Sequence, residues 1–148
     1  MGWRCYVVRD MVEPQFSVLV ADENESCREQ FRATLEPEGY EVFSARSGRD
    51  VIAVIRSERI HVVVMDLRLP DYNGLEIYHA IKDIRDTFLP CIFTALETTA
   101  HSLRDALDED AITILPKPVD EPRLVHAVDW SIRKYYRRPS RCRSEDLA

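Results

Sequence analysis

The residues with chemical potential in this chain lie within or just beyond the ends of short apolar runs. Asp22 and Glu23 come after Val18-Leu19-Val20-Ala21, and Asp66 after His61-Val62-Val63-Val64-Met65. Thr94 sits inside Cys91-Ile92-Phe93-Thr94-Ala95, and Lys117 follows Ile114-Leu115-Pro116. Brought together, the three carboxylates form a hard oxygen cluster suited to Mg2+, which takes one or two carboxylates and keeps several waters. Without a cation such acids repel one another strongly. A carboxylate can also act as a nucleophile and form an aspartyl phosphate, while Mg2+ and a lysine point charge offset the charge on a transferring phosphoryl group. Taken singly, each residue has a plainer reading: a cap or turn for the Asp residues, a β-former for Thr94, a solvated cation for Lys117. Only their joint placement at the ends of separate strands favours the chemical one.

That placement depends on the surrounding elements. Strands are predicted over 16–20, 41–45, 60–65, 90–94 and 111–115, three of them nearly unbroken apolar runs, as strands covered on both faces require. Helical stretches lie between them. The first is expected to begin at Ser26, with Glu29 completing a capping box and Cys27, Phe31 and Leu35 on one face, and to end at Pro37 and Gly39. The second places Val51, Ile52, Val54 and Ile55 on one side, and the third Leu75, Tyr78 and Ile81. A fourth, weaker stretch uses Leu103, Ala106 and Leu107; the fifth starts after Asp120 as N-cap, with Pro122 in its first turn, and runs to about Arg138. Five strand–helix alternations predict a doubly wound α/β fold: a five-stranded parallel sheet in the flavodoxin-like order 2-1-3-4-5 with helices on both faces. Ligands of such sheets bind beyond the carboxyl ends of the strands. Asp66, ending the central strand opposite the acidic pair, is then the natural nucleophile.

The 148 residues suit one domain, expected over 16–138, with an N-terminal extension over 1–15 and a polar tail over 139–148. A formal charge of −6 argues against direct binding to nucleic acid, whose backbone is recognised by neutralising phosphates. Neither a membrane span nor the apolar stretch of a signal peptide is visible, so a cytoplasmic protein is expected, with Cys5, Cys27, Cys91 and Cys142 remaining thiols. Arg133, Lys134, Arg137, Arg138, Arg141 and Arg143, interleaved with Tyr135 and Tyr136, read either as a solvated helix end or as a docking segment for an acidic partner.

Four blocks carry a family resemblance: residues 18–23, the D-x-x-x-P-x-x-x-G run from Asp66 through Pro70 to Gly74, Phe93-Thr94-Ala95, and Leu115-Pro116-Lys117-Pro118. Together they resemble the signature of response-regulator receiver domains of two-component signalling, of the stand-alone chemotaxis-regulator kind. The resemblance implies that Asp66 is the phosphoacceptor, that Asp22, Glu23, Asp66 and the Arg68 carbonyl hold Mg2+, and that Thr94 and Lys117 contact the phosphoryl group, with a cis Lys117–Pro118 bond. It also implies a histidine kinase or phosphotransfer protein as donor. The downstream protein partner would meet the surface of the fourth helix, fifth strand and fifth helix, through which a homodimer could also form. Three positions depart from the pattern: Glu23 stands where Asp is usual, Ile114 replaces the switch aromatic, and Asp110 stands where Gly is common.

The expected function is thus a phosphorylation switch rather than an enzyme, acting by protein contact. Two alternatives are a receiver-like module indifferent to phosphorylation and a Mg2+-dependent phosphatase with an Asp nucleophile. Phosphatases of the haloacid dehalogenase kind carry a second Asp two residues after the first; Arg68 occupies that position here, against this reading.

Overall fold

Alternate residues of the strands face opposite sides of one sheet, and both sides are apolar. In the computed structural model, which describes residues 15–96 and 112–136, Leu19, Ala21, Val63, Met65, Cys91 and Phe93 enter one buried cluster. Their neighbours Val18, Val20, Val62, Val64 and Ile92 enter the other. A sheet so patterned has to be covered on both faces. The described elements are β1 (Ser17–Ala21), α1 (Glu25–Leu35), a 3-10 turn (Glu36–Glu38), β2 (Glu41–Ala45), α2 (Gly48–Ser57), β3 (Val62–Asp66), α3 (Gly74–Ile84), β4 (Cys91–Leu96), β5 (Ile112–Lys117) and α4 (Glu121–Tyr135). All strand pairs are parallel, in the order β2-β1-β3-β4-β5, as predicted.

Val51 and Ile55 of α2 with Ile77, Tyr78 and Ile81 of α3 cover the first face. Phe31 and Leu35 of α1 with Leu124, Ala127, Val128 and Ile132 of α4 cover the second. The helix boundaries follow local chemistry. The first helix starts earlier than expected: its N-cap is Asn24, whose side chain accepts from the Cys27 amide at 3.1 Å, and not Ser26. An Asx side chain three residues past a strand end reaches the free amides one turn on, leaving Ser26 inside the helix. Asn73 caps α3 with a full capping box to Glu76, and Asp120 caps α4 with Pro at its start. Gly39, at φ 99°, takes the left-handed turn that lets the chain leave the 3-10 segment for β2. The expected fourth helix and Asp110 lie outside the described residues, as do residues 1–14 and 137–148. Among the described residues no helix is long and apolar enough to cross a membrane.

Candidate functional site

Parallel strands 1 and 3 are adjacent and in register, Ala21 beside Met65, so the residues that follow them, Asp22 and Asp66, emerge side by side at the carboxyl edge of the sheet. Lys117, ending β5, reaches across β4 to both. Its Nζ lies 2.7 Å from Asp66 Oδ2 and 3.3 Å from Asp22 Oδ2. The other oxygen of each acid is held by an amide two residues on: Asp22 Oδ1 accepts from Asn24 N at 2.8 Å, and Asp66 Oδ1 from Arg68 N at 3.0 Å. Asp22 is only 2% exposed. Burial alone would lower the Lys117 pKa, but the hydrogen bond and charge of Asp66, helped by Asp22, outweigh it and hold the ammonium above its ordinary value.

Thr94 is paired in register with Asp66. It is fully buried, and its Oγ1 has no hydrogen-bond partner among the described residues. A hydroxyl left unpaired in the interior is costly, and this one stands in register beside the Asp66 carboxylate. The Lys117–Pro118 peptide is cis. Ile114 is buried in the α2/α3-side cluster, in register with Phe93 of β4.

The structure therefore assembles Asp22, Asp66, Thr94 and Lys117. Glu23 is different: it follows Asp22 directly, but its side chain is exposed. Among the described residues no group of three His, Cys, Asp or Glu side chains is placed to hold a metal ion. Two carboxylates, each with one oxygen oriented by an amide and the other turned to a cation, still match the donor set of Mg2+, which needs one or two protein acids. The residues fit that ion.

Other residues at this edge were missed in the sequence. Arg28, in the second turn of α1, donates from Nη1 to the carbonyls of Asp22 at 2.7 Å and Glu23 at 3.1 Å. The Cys27 thiol has its pKa raised by partial burial and then by the charge of Asp22, with Asp66 adding to it and Lys117 opposing. Asp71 anchors the β3–α3 loop to α2 by accepting from Gly48 N at 2.8 Å and Arg49 N at 3.1 Å. Neither motif nor periodicity marks Arg28 in the sequence, because its partners are backbone carbonyls.

A doubly wound sheet with two acids, a hydroxyl and a lysine gathered at its carboxyl edge defines an α/β domain with a polar site where such sheets bind ligands. Residues 18–129 match the family model "Response regulator receiver domain", and the chain belongs to that family. It is 36% identical over 123 residues to the response regulator RR06 of Streptococcus pneumoniae, covering 81% of this chain and 54% of that protein. To the polar-differentiation response regulator DivK of Brucella anthropi it is 30% identical over 118 residues, covering 76% of this chain and 92% of that protein. The structure of the chemotaxis response regulator CheY4 of Vibrio cholerae superposes with a TM-score of 0.72 at 26% identity, covering 80% of this chain and 99% of that one. The chain spans about half the length of RR06 and of several other curated relatives it matches.

Proposed function

We propose that this receiver domain is a phosphorylation switch in which Asp66 accepts a phosphoryl group from a histidine kinase or phosphotransfer protein. The observation that carries the reading is the Lys117–Asp66–Asp22 arrangement beside the buried hydroxyl of Thr94, which has no partner among the described residues. In the step proposed, a carboxylate oxygen of Asp66 attacks phosphorus. The bond from phosphorus to the donor's leaving nitrogen or oxygen breaks, and the leaving group keeps the electron pair and takes a proton from solvent. Amide donation from Arg68 orients the attacking carboxylate. Lys117 supplies positive charge where the phosphoryl oxygens arrive, and Thr94 offers them a hydroxyl donor.

Mg2+ would be held by Asp22 and Asp66, with Glu23 through its exposed carboxylate and with the Arg68 carbonyl, and would supply charge neutralisation at the phosphoryl group. Phosphorylation would draw Thr94 toward the new oxygens, and the effect would be read by a protein partner. Ile114 takes the place of the ring that follows this movement in relatives, so the transmitted change is expected to be smaller. Under this reading the protein catalyses at most its own phosphorylation and dephosphorylation.

The test is intact mass after incubation with Mg2+ and a small acyl phosphate, for the parent and for Asp66→Asn. A gain of one phosphoryl group in the parent alone supports the switch. A parent that stays unmodified with several donors, while partner binding is indifferent to Asp66→Asn, favours the phosphorylation-independent module.

A further inference from the structure

We infer that Arg28 is a positioning residue that sets the magnesium affinity of the site by clamping the backbone of both metal acids. The inference rests on the reading of Asp22, Glu23 and Asp66 as the metal acids. The turn between β1 and α1 carries two of those acids on consecutive residues, where neither sheet nor helix fixes their carbonyls. Arg28 Nη1 donates to both, at 2.7 Å to Asp22 and 3.1 Å to Glu23. The rest of the turn is pinned from the same helix and from the sheet. Asn24 N donates to Asp22 Oδ1 at 2.8 Å, Cys27 N donates to Asn24 Oδ1, and Asp22 N donates to Ala45 O at 3.1 Å.

The clamp matters most for Glu23. Asp22 is buried and has its carboxylate held at both oxygens, by Asn24 and by Lys117. The Glu23 side chain is exposed and one methylene longer than the aspartate usual at this position, so its reach toward a cation is governed by where its backbone stands. Mg2+ tolerates little departure from octahedral geometry, so a loosened turn costs affinity directly. Outer groups that orient metal ligands typically contribute 10- to 100-fold in affinity.

Arg28 also brings a positive charge to the acids, which by itself would oppose a cation. The two effects have opposite signs and can be separated. Removing the charge alone tightens Mg2+ binding; removing the clamp weakens it. A lysine keeps the charge but carries it on a flexible stem, without the planar guanidinium that fixes the direction of both Nη1 hydrogens.

The experiment is calorimetric titration of Mg2+ into the full chain and its Arg28→Ala and Arg28→Lys variants, with circular dichroism to establish that each is folded. Arg28→Ala is expected to raise the Kd at least tenfold, and Arg28→Lys to raise it by a smaller factor. Wild-type or tighter binding by Arg28→Ala, or no difference between Arg28→Lys and the parent, overturns the inference, as does a parent that binds no Mg2+. A parent that binds Mg2+ in an Arg28-dependent way but gains no phosphoryl group on Asp66 sinks the switch reading and leaves the clamp standing. Should Arg28→Ala fail to fold, the lysine variant decides.

Discussion

Lys117 and Asp66 are 51 residues apart in sequence and 2.7 Å apart in space, and the same ammonium reaches Asp22 at 3.3 Å. One cation thus holds together two acids that would otherwise face each other at a buried edge. Lys117→Met is expected to lower stability by about 1–3 kcal/mol, because it leaves like charges uncompensated in a poorly solvated place. Adding Asp22→Asn should recover part of the loss, since the two residues share one network. Urea unfolding of the two single variants and the double variant checks this; strictly additive effects would remove the coupling.

Thr94 tests the site from the opposite direction. Its hydroxyl is buried without a partner among the described residues, so the isosteric Thr94→Val change relieves a desolvated group. Stability should rise by about 1 kcal/mol. The same variant should lose the spectroscopic or partner-binding change that follows phosphorylation. A fall in the thermal midpoint would mean that the hydroxyl is satisfied in the resting protein.

Acid sensitivity should centre on His61, at the other end of the sheet. Its Nδ1 accepts from Ser17 N at 2.9 Å, and its ring packs edge-on against Phe16 and Tyr136. Burial, and then the charges of Arg59 and Arg85, depress its pKa below the ordinary 6.5. The folded state then binds fewer protons than the unfolded one in the interval below 6.5. Stability is full above that value and falls as pH drops through it toward the folded pKa. Asp71, lowered by its amide bonds despite some desolvation, adds loss in the more acidic carboxylate range. Unfolding free energy measured from pH 8 to pH 5 should slope downward for the parent and less so for His61→Gln.

Glycine positions offer a test of packing. A Cβ on Gly74 would stand 2.8 Å from a Phe93 ring carbon and 3.1 Å from the Leu67 Cα, the second of which is backbone. One on Gly48 would meet the flexible end of Ile77 at 2.6 Å and a Tyr72 ring carbon at 3.0 Å. Gly74→Ala should therefore cost more than Gly48→Ala, about 1–3 kcal/mol, because a backbone atom cannot turn away as an isoleucine methyl can. It should also disturb Asp66, since Gly74 N donates to Leu67 O at 2.6 Å in the same loop. Thermal unfolding of both variants would reveal the order.

The sheet was legible because burial on both faces leaves an unambiguous mark, runs such as Val62-Val63-Val64 with no polar alternation. Its boundaries were less so: β4 and β5 each run beyond their predicted ends, to Leu96 and Lys117, because the two strands stay paired through Ala95–Pro116 and Leu96–Lys117. The first helix begins at Glu25 because the Asn24 side chain finds the Cys27 amide, a choice made by turn geometry among several candidate caps. Arg28 was invisible for a related reason. Its partners are two carbonyl oxygens, which every residue possesses and no residue type announces.

By itself the sequence determined the strand–helix alternation and the family, and it marked out Asp22, Asp66, Thr94 and Lys117, because apolar periodicity and strand-end residues are local properties. Tertiary structure alone decided which of those groups touch. Parallel register puts Asp66 beside Thr94, and the reach of Lys117 across β4 joins it to both acids, while the β1–α1 turn leaves the Glu23 side chain exposed. Contact between residues so distant in the chain depends on strand order and register, which are settled only when both faces of the sheet are packed.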